Sequence, residues 1–195
     1  EMIYASKGVA NIPSKSLMIE GDKFIYDKAN SELTIFDDIK YIDQQNDIII
    51  KSQKMIYNEL TNIVLSQSKT LITVENNYEI NSSDIFYDRN LNKISTQKFT
   101  EVNDKAQNEF IFSNGFVFDV LKEIISSKKV VIKDKNLNKY FFENSKLNLK
   151  INEIAGKEVF VDFEDSFFGN KNNDPALKGS SIISNDKNKK IFKTV

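Results

Sequence analysis

The chain has 195 residues and a mass of 22.5 kDa, close to the length of one domain and enough to bury a substantial core. Its 27 basic and 28 acidic residues leave a formal charge of −1, with Arg89 the sole arginine, so no global field recruits nucleic acid or an anionic membrane. The absence of His, Cys and Trp removes imidazole acid–base chemistry, thiol nucleophiles, Cys/His zinc sites, iron–sulfur ligation and disulfides, leaving carboxylate or lysine chemistry or none. No cofactor and no metal site is expected.

In chain order, Glu1 opens no basic or apolar leader, so any export signal is expected outside these residues. Apolar runs such as Ile48–Ile50 and Phe110–Phe112 fall far short of the ~20 residues that a membrane-spanning helix needs. Residues 1 to 20 are expected to form or cover a sheet edge, and Pro13, which has no donor, suits an edge or a loop. From there the chain repeats itself. Lys23-Phe24-Ile25-Tyr26-Asp27 recurs as Lys54-Met55-Ile56-Tyr57-Asn58, Asp84-Ile85-Phe86-Tyr87-Asp88, Gly115-Phe116-Val117-Phe118-Asp119 and Lys146-Leu147-Asn148-Leu149-Lys150. The anchors Tyr26, Tyr57, Tyr87, Phe118 and Leu149 are 31, 30, 31 and 31 residues apart. A degenerate sixth copy is expected at Ile182–Asn185 and Ile191, displaced by an insertion over residues 169–175.

Seven residues after each anchor stand Leu33, Val64, Ile94 and Ile125, and Gly156 breaks the series. Between them Asp27–Ser31, Asn58–Asn62 and Asp88–Asn92 supply Asn, Asp and Lys, as tight reversals require. Each repeat therefore reads as strand, turn, strand, turn. The segment Phe116–Ser127 also has helix-like spacing at Val117, Leu121, Ile124 and Ile125, but the repeat assigns it to two strands and a turn. The expectation is an elongated all-β body of about eleven or twelve antiparallel strands, stacked at ~4.8 Å, on a ~31-residue repeat. Residues 1–168 are expected to form it, with 169–195 a loop and last strands.

Alternate strand residues share a face, so Phe24/Tyr26, Met55/Tyr57, Ile85/Tyr87, Phe116/Phe118 and Leu147/Leu149 form one apolar stripe, joined by Leu33, Ile35, Val64, Ile94 and Ile125. Such a stripe is either the core between two packed sheets or, where the sheets splay, a trough for hydrocarbon. The opposite face, with Ile25, Ile56, Phe86 and Val117, is apolar enough to leave the inward register open. Lys28 and Asp43 are expected on the exterior.

The repeated apolar-x-Tyr-Asp with Asn/Asp turns resembles the OstA-like repeat of lipopolysaccharide-transport proteins. The tail Asn173-Asp174-Pro175-Ala176-Leu177-Lys178-Gly179, with Asn185–Ile191, is similar to the segment that joins the periplasmic domain to the barrel in the LptD family of outer-membrane proteins. Together these cover about residues 17 to 195. The resemblance implies a V-shaped, incompletely closed β-jelly roll in the periplasm of a Gram-negative bacterium. It implies a non-enzymatic conduit whose groove holds the acyl chains of lipopolysaccharide, followed by an outer-membrane barrel beyond Val195. Implied partners are lipopolysaccharide, a homologous bridge protein paired edge to edge, and an outer-membrane lipoprotein partner of the barrel. The family's usual cysteine pair has no counterpart here, so no redox control carries over.

A bridge protein of the same pathway is the alternative within the class. Outside it stand a structural or adhesive repeat with a dry core and a polysaccharide-binding or -cleaving β-repeat. The last of these needs two carboxylates ~5–9.5 Å apart, for which Asp37, Asp38, Asp162, Glu164 and Asp165 are candidates. Lys128-Lys129 and Lys187–Lys190 are short basic clusters suited to solvated turns or to phosphate.

Overall fold

The computed structural model describes residues 1–151, 153–164, 175–185 and 189–193; side chains are described as far as residue 182. The fold is all-β and antiparallel. The chain divides into two units, Glu1–Lys98 and Phe99–Val195. The repeat runs through the division, with anchors Tyr26, Tyr57 and Tyr87 in the first unit and Phe118 and Leu149 in the second.

The first unit contains β1 (Met2–Ile12), β2 (Leu17–Asp27), β3 (Glu32–Asp43), β4 (Ile48–Asn58), β5 (Ile63–Gln67), β6 (Lys69–Val74), β7 (Tyr78–Ser83), β8 (Phe86–Asp88) and β9 (Lys93–Thr96). Strands β1 to β4 form successive antiparallel pairs, and a 3-10 turn, Pro13–Lys15, joins the first two. At β4 the sheet forks. Ile48–Lys51 pair with β6, which continues to β7, whereas Lys54–Asn58 pair with β5, which continues to β8 and β9.

The second unit contains β10 (Thr100–Asp104), β11 (Glu109–Phe112), β12 (Phe116–Asp119), β13 (Ile124–Lys133), β14 (Lys139–Asn148), β15 (Glu153–Asp162), β16 (Ala176–Asn185) and β17 (Lys189–Lys193). Here β13 is the forked strand, pairing with β12 through Ile124–Ser126 and with β11 through Val130–Lys133. Strands β13 to β17 then follow one another in antiparallel order.

Asn and Asp make the turns by accepting backbone amides. Asp27 Oδ1 accepts the Ala29 amide (3.0 Å), Asn58 Oδ1 those of Leu60 (3.1 Å) and Thr61 (3.0 Å), and Asp88 Oδ1 that of Leu91 (3.0 Å). Most of the described turns also hold a left-handed residue. Ser16, Ser31, Asp47, Asn62, Asn76, Asn92, Gln107, Glu123 and Leu137 all have positive φ and stand 14 to 16 residues apart, half a repeat each. Their carbonyls bind successive turns together. Ser31 accepts from the Glu59 amide (2.8 Å), Asn62 from Arg89 (3.2 Å), Ser16 from Gln44 (3.0 Å), Asp47 from Glu75 (2.9 Å) and, in the second unit, Glu123 from Leu149 (2.9 Å).

Midway along the arms the backbone turns a corner at a second set of left-handed residues: Lys7, Asp37 and Asp38, Ser68, Asp84, Gly115, Lys129 and Glu158. The ladder shifts register there, between Glu20 and Lys23 in β2 and between Phe36 and Ile39 in β3. These corners account for part of the difference between the seventeen strands described and the eleven or twelve expected. The pairs β5/β6, β7/β8 and β11/β12 are single arms cut at Ser68, Asp84 and Ser113–Gly115.

Most corners also add a residue that inverts the inside–outside alternation, so the buried apolar positions step by five where a regular strand steps by two, with a buried serine between them at Ser52 and Ser82. Ile19 is followed inward by Phe24, Ile50 by Met55 and Ile80 by Ile85. Gly156, the break in the apolar series, has a compensating partner. A Cβ built there overlaps the Phe142 ring, so phenylalanine from β14 fills the space that an aliphatic side chain occupies in the other repeats. Gly156→Ala is expected to destabilise the protein by about 1–3 kcal/mol through overpacking. In Gly156→Ala/Phe142→Leu the two losses are expected to be less than additive, as read from urea unfolding midpoints of the single and double variants.

Candidate functional site

The apolar stripe faces inward. In the first unit Ile35, Met55, Tyr57, Val64, Ile85, Tyr87 and Ile94 are buried to within 1% of complete, and Phe24 is 7% exposed. In the second unit Phe116, Phe118, Ile125 and Leu147 are buried as well. Tyr26, Leu33 and Leu149 are half-buried. On the opposite face Ile25 and Ile56 are half-buried, and Phe86 and Val117 are exposed. The register is therefore the one in which Phe24, Met55, Ile85 and Phe116 point to the core.

The other half of the interior comes from residues outside the predicted stripe. In the first unit Leu17, Ile19, Ile39, Tyr41, Ile48, Ile50, Ile72 and Val74 are buried on the far side of the corners. Tyr41 meets Tyr57 and Tyr87 edge to face, at 6.3 and 6.4 Å between ring centroids. This contact ties the end of β3 that lies beside the β6 branch to Tyr57 of β4 and Tyr87 of β8 on the side of the other branch. The Tyr41 hydroxyl has no hydrogen-bond partner among the described residues, and burial pushes its ionisation far above the ordinary range. A signal for these residues exists. Tyr41, Ile72, Val102, Ile132 and Val161 recur at 31, 30, 30 and 29 residues, a second series parallel to the first. Strict alternation hides it because the parity changes at the corner.

One end of the first unit is closed by a buried ion pair. Arg89 donates from Nε to Asp43 Oδ2 (2.7 Å) and from Nη2 to Asp43 Oδ1 (3.0 Å) and the Lys15 carbonyl (2.8 Å). Tyr87 donates its hydroxyl to Asp43 (2.8 Å), and Asn46 Nδ2 donates to both Asp43 (2.9 Å) and Tyr87 (3.0 Å). Asp43, expected on the exterior, is thus fully buried, because a bidentate guanidinium, two further side-chain donors and the Asn46 amide (3.3 Å) replace its hydration. Burial alone raises its pKa, but the hydrogen bonds from Arg89, Asn46 and Tyr87 prevail and hold it below the ordinary 3.8. Beside this cluster Lys15 Nζ donates to Asn62 Oδ1 (2.7 Å), Tyr57 Oη (3.2 Å) and the Glu59 carbonyl.

The interior opens at the other margin of the sheet. Strand β1 pairs with β2 and has no partner on its outer edge among the described residues. Both of its faces are bare, with Met2, Ile3, Val9 and Tyr4 exposed, the last at 68%. A recess of about 260 Å³ lies between β1 and the first members of the stripe, Phe24, Tyr26 and Leu33, with Ile3, Ala5 and Val9 on its β1 side.

The remaining candidates have local explanations. Asp37 and Asp38 are exposed and shape the β3 corner as left-handed residues of the first unit. Asp162 and Glu164 belong to the second unit; Asp162 stands 4.0 Å from Lys139, and the Glu164 amide donates to Asn138 Oδ1. Asp165 lies outside the described residues. Lys128 and Lys129 sit at the β13 corner, whereas Lys187 and the expected insertion, apart from Pro175, lie outside the described residues. The tail motif is described from Pro175 onward, where Ala176–Gly179 open β16 against β15. No protein-family profile matches the chain, and no curated protein matches it either.

Removing one partner of the buried ion pair leaves an uncompensated charge. Arg89→Met is expected to cost about 3–5 kcal/mol at neutral pH, and Asp43→Asn/Arg89→Met to recover a large part of that, measured by urea unfolding. Because the folded pKa of Asp43 is depressed, its contribution is full above 3.8 and is lost as pH falls through the lower folded value. Acid titration of stability is expected to be shallower in Asp43→Asn than in the wild-type protein.

Proposed function

We propose that this chain is a lipid-conducting module of the OstA-like class, acting without catalysis in lipopolysaccharide transport in the periplasm as part of an outer-membrane protein. The observation that carries the reading is the apolar recess at the unpartnered β1 edge, whose inner wall, Phe24, Tyr26 and Leu33, begins the buried stripe. Each methylene that leaves water there gains ~0.8 kcal/mol, so a few carbons of an acyl chain suffice to hold it at the mouth. The bare backbone edge of β1 suits strand addition by a homologous bridge protein, which would extend the sheet and bring a second apolar stripe up to the first. Partners in this reading are lipopolysaccharide, that bridge protein and the lipoprotein associated with a downstream barrel. The V-shaped opening of the roll belongs to the same proposal. Past Phe24 an acyl chain meets the Tyr41–Tyr57–Tyr87 contact, so movement through the first unit requires the two branches of the fork to part.

That tyrosine packing favours a second reading, a structural repeat module with a dry core. The near-complete burial of Ile35, Met55, Tyr57 and Tyr87 is its specific support.

Photo-crosslinking separates the two. With a photoreactive residue at Tyr26 or Leu33, adducts to lipopolysaccharide are expected, weaker or absent from Lys28 and Lys128 on the exterior. Adducts of equal yield from Lys28 and Tyr26, or none from either, count against lipid conduction and in favour of the dry repeat.

A further inference from the structure

The outer face of the first unit carries a groove that the lipid reading does not use. It lies at the fork, where β4 leaves β6 after Lys51 and joins β5 at Lys54, with Ser68 (φ 85°) closing the gap between the two shorter strands. The groove measures about 490 Å³ and is walled by Lys40, Lys51, Lys69 and Gln53, with Glu20 and Asp38 at its side. Its floor is tied down from beneath. Ser52 Oγ and Thr70 Oγ1 share a hydrogen bond (3.3 Å), as do Thr70 Oγ1 and Ser66 Oγ (2.7 Å), and Ser66 Oγ accepts the Ile85 amide (3.0 Å).

Strand register brings the three lysines together. Lys40 stands directly opposite Lys51, and Lys69 is two residues before Leu71, the partner of Lys51 on the other side. Directly opposed like charges on one sheet face are destabilising, and diagonal neighbours remain within reach of long side chains. None of the three has a carboxylate at salt-bridge distance among the described residues, although Glu20 is the cross-strand partner of Lys40. The arrangement gathers three ammonium groups, none ion-paired among the described residues, against two carboxylates, above a floor fixed by hydrogen bonds.

We infer that this groove binds a phosphoryl anion, with Lys40, Lys51 and Lys69 donating to its oxygens and Glu20 and Asp38 accepting from hydroxyls beside it. Charge-assisted hydrogen bonds to phosphate oxygens replace the repulsion between Lys40 and Lys51, and the partly solvated setting makes the interaction sensitive to salt. The site stands independently of lipid conduction, since a free phosphate and a phosphorylated lipid headgroup present the same chemistry to it.

The test is a titration of the whole chain with inorganic pyrophosphate at low ionic strength, following the lysine side-chain signals by NMR. Saturable shifts of Lys40, Lys51 and Lys69 are expected. Lys40→Gln/Lys51→Gln is expected to weaken binding by about tenfold or more, the loss that comes from removing charge-assisted contacts. Its thermal midpoint is expected to stay level or rise, because the opposed charges are gone, while the exterior Lys128→Gln binds as the wild type does. Competition by lipopolysaccharide against pyrophosphate would assign the anion to a headgroup, and competition by soluble phosphate esters alone would assign it to a free ligand. Absence of saturable shifts, equal binding by the double variant, or an equal loss in Lys128→Gln would overturn the proposal.

Discussion

The constraint on which the rest depends is the handing of a carbonyl from one turn to the next. At successive reversals a left-handed residue turns its C=O out of its own hairpin and toward the amide of the next turn at the same end, as Ser31 does to Glu59 and Asn62 to Arg89. An Asp or Asn earlier in the turn accepts the local amides that would otherwise be orphaned. The length of an arm is then set by the distance between two such turns, which is why positive-φ residues stand 14 to 16 apart and the sequence repeats at about twice that spacing.

Arms of that length must bend if apolar side chains are to meet apolar side chains inside a unit. The corner residues supply the bend, and each extra residue inverts the parity of the strand beyond it. An arm therefore contributes two short apolar faces, one to each branch of the fork, and the branches close on each other through the Tyr41–Tyr57–Tyr87 contact. At the forks the ladder loses partners, and small hydroxyl side chains take over. Ser52, Ser66 and Thr70 join the branches in the first unit, while Ser127 Oγ donates to the Gly115 carbonyl in the second.

The same economy separates the two ends of the first unit. At Asp43 and Arg89 the interior is shut by charge-assisted hydrogen bonds in a place from which water is removed. At β1 the sheet has no further strand among the described residues, and the first apolar positions of the stripe face a recess. A closed polar end, an open apolar margin and a groove of unneutralised lysines on the outer face are three chemically distinct surfaces on one short stretch of β-sheet. The first excludes water from the interior, and the other two leave apolar and charged groups exposed.

Much of this was legible in the residues alone. The period, the strand character, the Asn and Asp turns and the inward stripe from Phe24 to Leu147 arise from local rules, because turn chemistry and side-chain alternation act over a few residues at a time. The tertiary structure decided what distance along the chain conceals. Asp43 reads as a surface carboxylate until Arg89, at the end of another strand, is brought to it, and its burial depends on that partner. Gly156 reads as a lapse in the repeat until Phe142 is laid across it from the neighbouring strand. The second half of the core, from Leu17 to Val74, was hidden by the change of parity at the corners, and a corner is set by which neighbour a strand pairs with on either side of it. Sequence determines the repeat that recurs; only the packing of one repeat on the next decides which of its residues are core, which line a recess and which stay at the surface.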